Sequence, residues 1–147
     1  MTIETSAPVA RHRRYVLAID LGSSALKTAI VSDDGEVVAS AEAPIRTHFL
    51  PGGGAEQDPR EWWEGTRRTV REVMARSAIA PQAIAAVGCD SQWSVVVPVD
   101  DAATPLMRAV HWMDTRGGIY NRAVMKGFPR VAGYGIFNLL RWIRLTR

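Results

Sequence analysis

Tyr15 to Ile19 is a short, almost wholly apolar run, the pattern of a strand buried on both faces, and Leu26 to Val31 is a second. Asp20 ends the first run. Leu21 to Ala25 holds one glycine and two serines, so the pair reads as a hairpin with a small polar turn. Asp33-Asp34-Gly35 is the next turn signal, and Val37 to Ala43 offers a third strand of one meander. Pro44 weakens pairing beyond it. His48 to Ala55, with Pro51 and the run Gly52, Gly53, Gly54, reads as a mobile loop. No strand feeds those glycines directly and no helix opens from them, so they are not a dinucleotide fingerprint.

The period then changes. Asp58 is an N-cap, Pro59 occupies the first helical position and Glu61 completes a capping-box pattern. Trp62, Thr66, Val70, Val73 and Met74 follow at helical spacing as one buried stripe, with Arg67, Arg68, Arg71 and Arg76 mainly off it. The helix should end before Pro81. Ile84 to Cys89 is another buried strand, Ser94 to Val99 an edge or bulged one because of Pro98, and Ala109 to Met113 a short one. A helix over Ile119 to Lys126 is closed by Gly127 and Pro129. Ile136 to Arg147 reads as an amphipathic helix, with Leu139, Leu140 and Ile143 inward and Arg141, Arg144 and Arg147 outward. That pattern runs to the last residue without a C-cap, which reads as a cut.

Length and composition narrow the class. The 147 residues suffice for one domain with a core, and 47% hydrophobic with 22% charged residues is ordinary for a globular protein. A net charge of +3 without aromatic–basic alternation does not argue for nucleic acid. The apolar runs are strand-sized, so no membrane-spanning helix is expected. One cysteine, Cys89, excludes an intrachain disulfide framework and fits a reducing cytoplasm. Met1 to Arg14 is polar and aperiodic, and reads as a flexible arm before the domain that begins at Tyr15.

Two constellations carry candidate chemistry. In the first, Asp20 closes a buried strand, where a carboxylate needs a compensating cation or hydrogen bonds. Ser23 and Ser24 add hydroxyls beside the bare backbone of Gly22, and Lys27 adds a positive charge. Together they can hold a magnesium–phosphate group: Asp20 toward the metal, amides and hydroxyls toward phosphoryl oxygens, Lys27 as counter-charge. An ordinary tight turn, with Gly22 at positive φ, is the rival reading. The second comprises Gly88 to Ser94 and Trp112 to Arg116, both following strand candidates. Gln92, Asp114 and Arg116 suit sugar hydroxyls, and Trp93 can cover an apolar sugar face. The rival there is a structural Asp114–Arg116 ion pair with Trp93 and Trp112 in the core. No zinc-type spacing, nucleophile elbow or Walker-type phosphate loop is present in the sequence.

Asp20-Leu-Gly-Ser-Ser-Ala-Leu-Lys27 resembles the first phosphate motif of the actin-like ATPase superfamily, and most of all the D-x-G-T-S-x-x-K of FGGY-type carbohydrate kinases, with Ser23 where threonine is usual. Ala55-Glu-Gln-Asp-Pro-Arg-Glu-Trp-Trp63 is similar to that family's A-E-Q-D-P-x-x-W-W, and Trp112-Met-Asp-Thr-Arg116 to its W-x-D-x-R. Gly88 to Ser94 sits where the family's substrate glutamine loop sits. It keeps Gln92, but Trp93 and Ser94 replace the M-H of xylulose-type members and the R-E of glycerol-type ones, which disfavours glycerol.

The resemblance implies an α/β domain of the actin-like, ribonuclease H-like kind, N-terminal and incomplete. The first three strands should be adjacent and antiparallel, the helix from Pro59 should cover one sheet face, and Ile84 to Cys89 should run parallel to the first strand. It also implies ATP and magnesium as cofactors, a sugar or polyol as acceptor, and a catalytic base beyond Arg147, so that this chain alone would be inactive. Exposed apolar surfaces would then favour self-association. A non-catalytic sugar-binding or assembly module on the same scaffold is the alternative.

Overall fold

The computed structural model describes residues 13–145. Four strands form the main sheet: β1 (Tyr15–Leu21), β2 (Ala25–Ser32), β3 (Val37–Pro44) and, later in the chain, Ile84–Ser91. Before that last strand come β4 (His48–Leu50), β5 (Gly54–Gln57) and helix α1 (Pro59–Ser77), so it is β6. After it follow β7 (Ala109–Val110), α2 (Gly118–Met125), β8 (Arg130–Val131), β9 (Tyr134–Gly135) and α3 (Ile136–Leu145).

The sheet order is β3-β2-β1-β6, antiparallel except for β1 with β6, which run parallel. This is the expected arrangement. The alternation of β2 explains its pleat: Leu26, Thr28, Ile30 and Ser32 are buried, while Lys27 points to the other face. α1 packs on β2 and β3, starts at Asp58, whose carboxylate accepts from Arg60 N, and ends on Ala78 in the left-handed conformation. Leu17, Ile30 and Val73 form the core, with Val70, Met74 and Ile84 packed around them. Thr28 and Thr69 share a 2.7 Å hydroxyl hydrogen bond inside it, so both polar groups tolerate burial.

Several expectations change. Tyr15 to Ile19 is not buried on both faces: Leu17 alone is buried, and Val16 on the opposite face is 37% exposed. β6 is not a buried strand. It is a sheet edge outside the main packing of α1, which falls on β2 and β3, and Val87, beside Leu17 in register, is 58% exposed. The glycine-rich stretch is no loose loop but the turn of a β4–β5 hairpin, and all four residues of β5 are buried because β7 pairs with its other edge. Ser94 to Val99 forms only isolated bridges, Val96 to Val110 and Val99 to Pro105; Ser94 has a φ of 50° and Pro98 has no N–H, which breaks an extended ladder. The short β8–β9 hairpin has no counterpart in the hydrophobic pattern.

The expectations for Met1 to His12, and for Thr146 and Arg147 in the last helix, lie outside the described residues. Arg13 and Arg14 are tied to the sheet: Arg13 donates to the carboxylates of Asp34 and Glu36, and Arg14 O accepts from Asp33 N. In α3 the expected inward stripe is only partly covered, with Leu140 56% and Ile143 39% exposed. Among the described residues no helix is long and apolar enough to cross a membrane.

One test separates the covered from the uncovered side. Ile30, fully buried, should cost about 2–5 kcal/mol as Ile30→Ala, whereas Val87→Ala should stay within about 0.5 kcal/mol. Urea unfolding of the two variants measures this, and equal losses would place β6 inside the core.

Candidate functional site

The β1–β2 turn is built from the strand ends inward. Gly22 N donates to Ala25 O at 3.1 Å, and a Cβ on Gly22 would lie 2.8 Å from that same oxygen. Glycine is thus required by the tightness of the turn and not by a positive φ. Register places Asp20 opposite Lys27 and beside Asp90 of β6, all on the sheet face away from α1. The Lys27 ammonium is 3.7 Å from the Asp20 carboxylate, and the side chains are 61% and 49% exposed. Asp20 is therefore solvated, contrary to the expectation of a desolvated carboxylate, and the pair is a weak one. Both border an open cavity of about 550 Å³ that Ala18, Ala29, Gly88 and Cys89 also line.

Ser23 and Ser24 are anchored by their carbonyls and not by their neighbours in the turn. Ser23 O accepts from Gln57 Nε2 at 2.8 Å, and Ser24 O from Ile45 N at 2.9 Å. Ser23 Oγ accepts from the indole of Trp112 at 3.0 Å. This last bond joins the two constellations that the sequence kept apart: a residue of the second segment rests on the turn of the first.

Asp114 and Arg116 do form an ion pair, in a larger assembly. Arg116 Nη2 lies 2.6 Å from Asp114 Oδ2 and 2.7 Å from Glu56 Oε1, and Asp114 Oδ2 also accepts from Ala55 N at 3.0 Å. The Asp114 side chain is 4% exposed and that of Arg116 is 40% exposed. Asp114 therefore has its acceptors engaged and fixes the guanidinium through Nε and Nη2. The Arg116 guanidinium, with the Ala55 amide, holds the Asp114 carboxyl well below the usual carboxylate range. The glycine turn makes room for this: a Cβ on Gly53 would lie 2.1 Å from Thr115 Oγ1, and one on Gly54 3.1 Å from Arg116 Cζ. Trp93 and Trp112 are not core residues; they are 84% and 54% exposed.

Gln92 is held between two partners, Gln57 and His111. Glu56, Gln57 and His111 were not singled out from the sequence, although all are buried. Glu56 and Gln57 lie inside the Ala55 to Trp63 stretch that carries the family resemblance, whereas His111 gave only a faint signal, one polar residue within an apolar run. Among the described residues, no group of three or more His, Cys, Asp and Glu is placed to hold a metal ion.

The model of the FGGY family of carbohydrate kinases, N-terminal domain, matches residues 15–127. A xylulose kinase of Staphylococcus epidermidis is 33% identical over 112 residues, covering 76% of this chain and 23% of the relative. A glycerol kinase of Citrifermentans bemidjiense is 36% identical over 103 residues, covering 69% and 21%. The crystal structure of a xylulose kinase from Rhodospirillum rubrum superposes with a TM-score of 0.68 at 25% identity, covering 75% of this chain and 23% of that one. The chain thus spans about a quarter or less of the length of the curated relatives it matches.

The depressed Asp114 pKa has a signed consequence. A carboxyl whose folded pKa lies below its ordinary 3.8 contributes stability above that value and loses it as the pH falls through the folded pKa. Asp114→Asn should therefore be less stable than the parent near neutrality, and the gap should narrow steadily on acidification. Urea midpoints measured from neutral to strongly acid pH check this; a constant gap would remove the ionised Asp114 from the account.

Proposed function

Since this chain belongs to the FGGY family of carbohydrate kinases, we propose that it forms the N-terminal part of an ATP-dependent kinase that transfers the γ-phosphoryl group to a hydroxyl of a sugar or polyol. The fold is accordingly the N-terminal part of an actin-like ATPase domain. The observation that carries the functional reading is the 3.0 Å bond from the Trp112 indole to Ser23 Oγ, which brings a carbohydrate-type segment onto a phosphate-type turn.

In this reading Asp20, Gly22, Ser23, Ser24 and Lys27 serve the phosphate end. One half-exposed carboxylate, two hydroxyls and a lysine fit a magnesium ion that arrives with nucleotide phosphates, because magnesium keeps most of its waters and takes few protein ligands. Bound there, magnesium and ATP supply the phosphoryl group and the neutralisation of its charge. Lys27 adds a positive charge at the same strand end, and Asp20 orients it. Gln92, Trp93, Asp114 and Arg116 serve the carbohydrate end: Trp93 and Arg116 face the acceptor, and Asp114 holds Arg116 in place. Phosphoryl transfer needs groups on both sides of a cleft, so this chain alone binds without turnover. The exposed, unpaired Cys89 fits a cytoplasmic setting.

D-Xylulose added to the 147-residue chain should quench tryptophan emission saturably, and Arg116→Ala should weaken that binding at least about tenfold, the loss of one charged contact. No ADP should form from Mg-ATP. Absence of quenching with xylulose, ribulose and glycerol alike would sink the carbohydrate assignment, and sugar-dependent ADP release would sink the claim of inactivity.

The partly covered stripe of α3 also makes self-association the expected state at high concentration. Sedimentation velocity should show that Leu139→Ser with Ile143→Ser lowers the associated fraction while the β1–β2 hairpin stays folded; a wild-type chain that is monomeric at all concentrations contradicts this.

A further inference from the structure

His111 is 2% exposed, and the reading above gives it no task. Its Nδ1 lies 3.3 Å from Met113 N, a group that only donates, so Nδ1 is the bare nitrogen of the ring. Nε2 then carries the proton and donates to Gln92 Oε1 at 2.9 Å. That fixes the Gln92 amide, whose Nε2 donates to Gln57 Oε1 at 2.9 Å. Gln57 Oε1 also accepts from the Trp62 indole at 3.1 Å, another donor without acceptor capacity. The Gln57 nitrogen is left to donate to Ser23 O at 2.8 Å and to Thr47 Oγ1 at 2.9 Å. Every polarity in the chain follows from two N–H groups, Met113 and Trp62, that cannot be reversed. Turning over either glutamine amide would set donor against donor in a buried place. Burial disfavours the charged imidazole, which keeps Nδ1 free to accept.

We propose that His111 and Gln57 are positioning residues: a one-way hydrogen-bond chain from His111 through Gln92 and Gln57 to the Ser23 carbonyl sets the phosphate-type turn against the segment that follows β6. The functional consequence, alignment of the phosphate and carbohydrate ends, rests on the kinase reading; the chain itself does not. Gln57 is the junction. It is fully buried, and its amide uses two donors and two acceptor positions on the β1–β2 turn, the β3–β4 link, α1 and the segment after β6.

NMR of the 147-residue chain, with no ligand added, tests the proposal. In the wild type, His111 should be the Nε2–H tautomer with a slowly exchanging ring proton. Gln92→Glu still accepts from His111 but cannot donate to Gln57, so the ring proton should persist and move downfield. Gln92→Met should lose it. In both variants the Ser24 amide, which reports on the Ser23 carbonyl, should shift, because Gln57 has lost one donor. Gln92→Glu keeps the shape of glutamine and carries the test even if Gln92→Met does not fold. A His111 proton on Nδ1, or a Ser24 amide unmoved in Gln92→Glu, would overturn the proposal. None of these signals needs sugar or nucleotide, so failure of the kinase reading would be seen separately, in the xylulose titration.

Discussion

A primary amide buried without access to water must find two acceptors and two donors, and Gln57 finds all four inside the protein. Much of the architecture around the site can be understood as the means of meeting that demand. β5 is buried on both sides of its pleat so that Gln57 sits beneath the β1–β2 turn. Asp58 starts α1 directly after it, which returns Trp62 to within hydrogen-bonding distance of the same amide. β6 runs parallel to β1 and delivers Gln92 to the turn, where Gln92 N also donates to Leu21 O at 2.8 Å. Leaving any one of these groups unpaired would cost about 1–3 kcal/mol, a large fraction of a small domain's margin.

The ion-pair assembly beside it follows the same logic with charges. Asp114 is almost wholly buried and stays ionised because Arg116 and the Ala55 amide both act on it. The cost is steric: Thr115 occupies the place of a Cβ on Gly53, and Arg116 lies close against Gly54. At Gly53 and Gly54 the glycine run answers to a close approach between two distant segments, whereas Gly52, with a φ of 77° and open space around it, is fixed by the turn itself. The partners of Gly53 and Gly54 lie some sixty residues away in the chain, and nothing in their own neighbourhood announces them. The sheet face bearing Asp20 and Lys27 is, by contrast, open and solvated.

The amino-acid sequence by itself determined the first hairpin, the meander and the cap and approximate length of α1, because each rests on a local period or a turn residue whose physics acts within a few positions. The sequence also determined the family, through three ordered motifs. The parallel placing of the strand at Ile84 followed only from that family resemblance. Only the tertiary structure decided the rest. Burial of β6 depends on how far α1 reaches, not on the apolar content of Ile84 to Cys89. The role of Gly53 and Gly54 depends on Thr115 and Arg116, and that of Trp112 on Ser23, 89 residues away. The polarity of Gln57, Gln92 and His111 is set by donors on α1 and after β7, which meet only when the chain is folded. Periodicity records which face an element turns inward; it holds no record of which distant polar atom will be waiting there.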